Sequence, residues 1–323
     1  MLEGDLRRGL VGVGEVDVVE AVVVAAAVGE AAFAGPEFAA DLAAAKTVNR
    51  KRAVIYNALE YAADELKVVT ANRLSEVKWR APKAVRAIDT RVVVNTKQGP
   101  ALLSAVKAQQ VPNQPRRSSG PRLVACFGSM YYAAARPEEA IMLRDVDLKL
   151  PKRGWGELLL TVTAPIAGAA WTDSGERRDR RWLKQRAEGE VRVVPCPPPL
   201  TALLNWHLET FGTAPDGRLF RSLDGGDVAE STLARLWDNA RKAVLTEEEY
   251  ASPLARRPYD LRHACVSTWI WAGVPSTQAA EWAGHSVNVL HEVYAKVLAG
   301  QEGSTLRRID QVLGWIEPGE EPG

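Results

Sequence analysis

Between residues 257 and 296 the chain reads R-P-Y-D-L-R-H-A-C-V-S, then A-G-V-P, then E-W-A-G-H-S, then V-Y-A-K. The apolar spacing from Asp260 onward is helical, and Gly273-Val274-Pro275 and Gly284 break it into consecutive helices. Those breaks hold Arg262, His263, His285 and Tyr294 at set offsets. An arginine, a histidine and a tyrosine converging near helix ends suit phosphodiester chemistry without a metal. The guanidinium grips phosphate oxygens, the imidazole handles charge and hydrogen bonds, and the phenol attacks.

The 323 residues are 46% hydrophobic and 25% charged, as in a soluble globular protein of two-domain length. The net charge of +1 conceals an asymmetry. Residues 1–45 carry −6 and residues 301–323 carry −3, so residues 46–300 carry +10. A basic middle between acidic ends fits an anionic partner; it equally fits a solvated lysine and arginine surface. Cys126, Cys196 and Cys265 are isolated and odd in number, which reads as buried thiols in a reducing compartment. The four histidines form no metal-binding pair. The apolar run 16–28 is interrupted by Asp17 and Glu20 and falls short of the roughly 20 residues a bilayer span needs. A soluble cytoplasmic chain is expected, with no membrane partner.

Residues 1–45 are an Ala/Val-rich lead whose pattern is poor for a packed core. From 47 to 81 the period turns helical, through Val54, Ile55, Ala58, Leu59, Tyr61 and Ala62. A second unit starts near Arg91. There residues 98–110 read as a helix, 112–121 as a loop and 123–134 as a buried helix. Pro137, Glu138 and Glu139 make a helix start, and Arg136 just before it opposes the helix dipole unless an anion lies nearby. Residues 158–163 and 191–194 read as strands that pair across the charged insert 172–190. Residues 200–211 are an amphipathic helix. Leu306, Ile309, Val312, Leu313 and Ile316 have the spacing of a last helix.

D-L-R-H, A-G-V-P, A-G-H-S and V-Y-A-K, in that order, resemble the tyrosine recombinases, or phage integrases. The likeness runs over roughly residues 47–300 and looks closest to integrases of actinobacterial mobile elements. It implies a mainly α fold with a small antiparallel β-sheet. Residues 46–90 would be part of a helical core DNA-binding domain, residues 91–300 the catalytic domain, and 301–323 a C-terminal helix and acidic tail. Only the latter half of the core-binding domain is recognisable, so the chain is expected to be truncated or to begin in unrelated coding sequence.

The resemblance carries over residue by residue. Arg262, in D-L-R-H, matches the family's second active-site arginine. Arg136 matches the first, in A-R-P-E-E-A-I-M-L-R-D-V-D-L. Two permanently charged, planar guanidiniums fit phosphate oxygens. His285, in G-H-S, matches the histidine that hydrogen-bonds the phosphate, and Tyr294 the nucleophile. Lys184, eleven residues before Pro195, matches the lysine of the β-hairpin, the general acid for the leaving 5′ hydroxyl. Tyr259 stands where the family carries histidine or lysine; it can orient a phosphate but cannot titrate near neutrality. His263 is read as packing behind Arg262. Arg50, Lys51, Arg52, Lys78 and Arg80 are candidate DNA contacts on the first unit.

By resemblance the chain is a site-specific recombinase that cuts and rejoins DNA through a 3′-phosphotyrosyl link. It would need neither nucleotide cofactor nor metal. Its partners would be double-stranded attachment sites, three further copies in a tetramer, and an accessory directionality factor. It would act in the bacterial cytoplasm at the nucleoid. Two readings stay open beside it: a catalytically inactive relic that binds DNA, and a relaxing enzyme like topoisomerase IB.

Overall fold

The computed structural model describes residues 45–82, 87–110, 118–165, 172, 175, 178, 180–183, 187–299 and 302–313. The chain divides into two compact units at residue 86.

In the first unit, helix α1 spans Ala45–Asp64. It ends earlier than the apolar period suggested. Lys67 takes a left-handed conformation (φ 54°), and the Val68 amide reaches back to the Ala62 carbonyl at 3.0 Å. The Leu66 amide also bonds the Tyr61 carbonyl at 3.1 Å, a six-to-one closure of the kind that stops helices. The segment after it holds only a short 3₁₀ turn, Arg73–Ser75, capped by the Asn72 side chain. Asn72 also donates to the Tyr56 carbonyl at 3.1 Å and to Glu60 Oε1 at 2.8 Å, which ties the turn onto α1. Val54, Ile55 and Tyr61 of α1 remain exposed.

The second unit opens with α2 (Gln98–Ala108) and α3 (Ser119–Ala133). Helix α3 begins before Pro121, where a loop was expected, because proline is tolerated in a first turn whose amides need no helical partner. Almost every residue of α3 is buried, so it is the central helix of the core. Helix α4 (Pro137–Ala140) follows, then strands β1 (Leu148–Lys149), β2 (Gly156–Leu160), β3 (Val162–Thr163), β4 (Arg181–Trp182) and β5 (Arg192–Cys196). β1, β2 and β5 form an antiparallel sheet in that order, with Leu158 opposite Val194 and Leu160 opposite Arg192. The expected pairing across the insert is therefore present. The first strand is split after Leu160, and its continuation pairs with β4 from within the insert.

Helices α5 (Pro198–Phe211), α6 (Glu230–Val244) and α7 (Glu247–Ala251) cover the core. Then come α8 (Asp260–Trp271), α9 (Ser276–Ala283), α10 (Val287–Ala299) and α11 (Glu302–Leu313). The first three of these correspond to the helical stretch broken at Gly273–Pro275 and at Gly284, and α11 to the expected last helix. Residues 314–316 of the expected last helix lie outside the described residues. Among the described residues no helix is long and apolar enough to cross a membrane. All three cysteines are buried free thiols.

Two apolar clusters divide the second unit. The larger packs α2, α3, α5 and α6 around Phe127, whose ring stacks on Trp237 at 5.5 Å. The smaller joins α8, α9 and α10 around Val266, Ile270, Leu290 and Tyr294. Phe127→Ala is expected to cost about 3–5 kcal/mol, since both the ring and its fully buried pocket are lost. Val312→Ala, at a side chain 88% exposed, should stay within about 0.5 kcal/mol. Urea unfolding of the two variants against wild type measures both.

Candidate active site

Helix ends converge where α3, α8, α9 and α10 meet. α3 stops at Ala134 in a left-handed conformation (φ 48°) that a non-glycine residue adopts only at a cost. α9 stops at Gly284, also left-handed (φ 63°). Each ending turns backbone carbonyls inward. Arg262 on α8 donates to two of them, those of Ala134 and Ala283. Its Nη2 also lies 2.9 Å from His285 Nε2. A guanidinium has no acceptor, so Nε2 accepts and the proton of neutral His285 sits on Nδ1, which is buried without a partner. Burial first, and the Arg262, Arg136 and Arg192 charges next, push His285 down to about 3, so the ring is neutral near pH 7.

Arg136 enters from the turn after α3. Its Nη2 donates to the Gly284 carbonyl at 2.9 Å, and its Nη1 pairs with Glu139 Oε1 at 2.6 Å. Glu139 is the anion that the helix-dipole argument required beside Arg136. It serves a second cation as well. Arg192, on the inward face of β5 with Val194 and Cys196, places both terminal nitrogens on the Glu139 carboxylate at 3.0 and 2.6 Å. Arg192 and Glu139 side chains are each 1% exposed. Burial alone would raise the Glu139 pKa; Arg192, Arg136 and Arg262 outweigh it and hold the carboxyl well below its usual range. Gly284 has no room for a side chain here, because a Cβ would strike the Arg192 guanidinium.

Tyr294 lies at a kink in α10, with non-helical angles (φ −106°, ψ 19°). The Val293 carbonyl at that kink accepts from the Ile88 amide at 2.8 Å. The ring is fully buried, and its hydroxyl is 3.0 Å from His263 Nδ1. Burial raises the phenol's pKa; the nearby Arg262 and Arg136 charges act against that rise. The Tyr259 ring meets His263 edge-on at 5.2 Å.

The geometry therefore brings together Arg136, Arg262, His285 and Tyr294, with Tyr259 one step behind. Lys184 lies outside the described residues.

No protein-family model matches the sequence, and no curated protein matches it. Solved structures do. The Tn1549 transposon integrase, solved with a circular intermediate DNA, superposes with a TM-score of 0.61 at 16% identity, over 94% of this chain and 86% of that one. The XerH site-specific recombinase, in a post-cleavage complex with its palindromic substrate, gives 0.55 at 13% identity, over 94% and 74%. A lambda integrase dimer bound to a core site gives 0.51 at 14% identity, over 80% and 75%. This chain has the tyrosine-recombinase fold.

Within that fold, two residues of the site, Glu139 and Arg192, escaped the sequence reading. Glu139 read as a dipole-favoured helix start, and Arg192 drew no reading beyond its place in strand 191–194. The signal for Arg192 was its period of two with Val194 and Cys196, which places a cation on the buried face. His263 does not pack behind Arg262; it faces Tyr294, one residue further around α8. On the first unit Arg50, Lys51, Lys78 and Arg80 are exposed. Arg52 is engaged internally, donating to the Leu74 carbonyl at 3.3 Å and stacking on Tyr56 and Trp79.

Glu139→Gln is expected to lower stability by about 3–5 kcal/mol, because it strands the Arg192 charge inside the protein. The loss should appear in urea unfolding at neutral pH.

Proposed function

We propose that this chain is a site-specific DNA recombinase that forms a 3′-phosphotyrosyl intermediate at Tyr294. The observation that carries this reading is the meeting of Arg136, Arg262, His285 and Tyr294 from four separated segments on the tyrosine-recombinase fold. The likeness to proteins solved with transposon, XerH-substrate and lambda core-site DNA supports DNA as the partner.

Arg136 and Arg262 would grip the non-bridging oxygens of the scissile phosphate and steady the charge that builds in the transition state. His285 would add a hydrogen bond, and Tyr259 a weaker one. Lys184 would protonate the departing 5′ oxygen. A 5′ hydroxyl from a partner duplex then attacks the phosphotyrosine, so one phosphodiester replaces another. That exchange needs no nucleotide cofactor and no metal. Tyr294 and Arg262 are fully buried in this structure, so attack requires the helix ends around them to open onto the DNA. The kink at Tyr294 supplies a hinge for that motion.

The finer parts of the reading follow from the resemblance: attachment-site DNA, a tetramer on two duplexes, a directionality factor, an actinobacterial mobile element, and action at the nucleoid. Residues 46–90 would clamp the DNA as a partial core-binding domain.

The deciding experiment uses a pool of nicked duplexes with a randomised core, captured covalently on denaturing gels. Wild type is expected to retain DNA, and Tyr294→Phe to retain none. If wild type binds duplex but traps nothing, the inactive relic replaces this reading. If both proteins trap DNA equally, the nucleophile lies elsewhere. A trapped strand that only reseals on its own duplex indicates the relaxing enzyme.

Binding through phosphate contacts should weaken by about 0.9 log unit per log unit of salt for each neutralised phosphate. Removing Lys78 and Arg80 together should lower the slope of that plot by about two contacts. A slope near zero in wild type counts against DNA.

A further inference from the structure

We propose that His263 takes the phenolic proton of Tyr294 when that oxygen attacks phosphorus; this rests on Tyr294 being the nucleophile, as proposed above. The Tyr294 hydroxyl and His263 Nδ1 are 3.0 Å apart, within the reach that proton transfer requires. With its proton on Nε2, a neutral imidazole offers Nδ1 as the acceptor, and the tyrosine O–H donates to it.

The other groups near the phenol are unsuited. His285 already accepts from Arg262 on Nε2, and its Nδ1 carries the proton. Arg262 is a cation bonded to two carbonyls. Cys265 is a buried thiol whose pKa burial raises. Tyr259, at the position where the resemblance expects histidine or lysine, is a phenol and accepts no proton near neutrality. Tyr259 caps the start of α8 four residues before His263, which puts the two rings on one side. The Tyr259 ring braces the imidazole edge-on at 5.2 Å.

The groups that set the charge of His263 are Asp260 and Arg262 on α8, Arg257 before it, His285 after α9 and Tyr294 on α10. Burial outweighs the favourable Asp260 carboxylate, and Arg262 and Arg257 add to it, so the pKa falls to about 4. The imidazole is therefore present as free base near pH 7.

The step balances. The tyrosyl oxygen bonds to phosphorus, the P–O5′ bond breaks, and the phenolic proton moves to His263 Nδ1. The departing 5′ oxygen takes its proton from the acid expected at Lys184. In rejoining, the incoming 5′ hydroxyl returns its proton to the amine expected at Lys184 and bonds to phosphorus, the bond from phosphorus to the tyrosyl oxygen breaks, and the leaving phenolate recovers its proton from the imidazolium.

The test measures covalent adduct formation by the full chain on the nicked, randomised-core duplex pool, across pH. His263→Asn keeps an amide oxygen near the Nδ1 position but cannot take the proton. It should form adduct about 100-fold more slowly or worse. The wild-type rate should rise with pH through one ionisation and level off, since the base must be unprotonated; the inflection should vanish in His263→Asn. A substrate with sulfur in place of the bridging 5′ oxygen leaves without a proton, and it should not rescue the variant. Equal urea transitions and equal duplex retention for the two proteins separate this effect from misfolding. If His263→Ala does not fold, the asparagine variant and the wild-type profile decide. Adduct rates within twofold of wild type with the inflection kept, or rescue by the sulfur substrate, overturn the role of His263 alone. Adduct from Tyr294→Phe, or none from wild type, overturns the recombinase reading and this inference with it.

Discussion

The Glu139 carboxylate lies between two guanidiniums with almost no solvent, and the geometry around it depends on that charge. It holds Arg192 inside the sheet face and Arg136 at the mouth of α4. Without it, Arg192 would be an unpaired cation in a core of Val194, Leu158 and Cys196. Such a group costs several kcal/mol, far more than an exposed ion pair returns. A pair like this is a weak source of net stability, but it fixes where both arginines point. Arg192 in turn occupies the space in front of Gly284, so the turn that carries His285 has one permitted backbone path.

Helix ends do similar work around Arg262. α3 and α9 both terminate in left-handed residues, and their last carbonyls face the same guanidinium. A helix C-terminus carries partial negative charge, so two of them make a suitable seat for a fully buried cation. The arginine is thereby preorganised before any anion arrives. For the proposed reaction the cost is access: a phosphate would compete with protein carbonyls for Nη1 and Nη2. An arginine held by backbone dipoles is easier to release to a phosphate than one locked onto a carboxylate. Arg192 commits both terminal nitrogens to Glu139, Arg262 rests on carbonyls, and Arg136 divides its two between Glu139 and the Gly284 carbonyl.

Much of the architecture was legible in the sequence. The helices at 98–108 and 260–299 follow from apolar period and from glycine and proline breaks, because those signals act within a few residues. The pairing of residues 156–160 with 192–196 was legible too, although strand 158–163 split after Leu160. Two boundaries moved for local reasons. α1 closed at Lys67 rather than running to residue 81, and α3 began before Pro121 because proline suits a first turn. Lys184 falls outside the described residues, so its place in the hairpin stands on resemblance alone.

The sequence by itself, read through its resemblance, supplied the proposed chemical cast: two arginines, a histidine and a tyrosine, in order, near helix breaks. Only the tertiary structure decided which atoms meet. Neighbours on a helix point about 100° apart, so the roll of α8 against α10 selects whether Arg262 or His263 faces the Tyr294 hydroxyl. That roll depends on the packing of Val266 and Ile270 of α8 in one cluster with Leu290 and Val297 of α10, helices that α9 separates in sequence. The Glu139–Arg192 pair spans 53 residues and joins a helix start to a strand. Charge partners at that separation leave no periodic trace, and burial alone makes them obligatory.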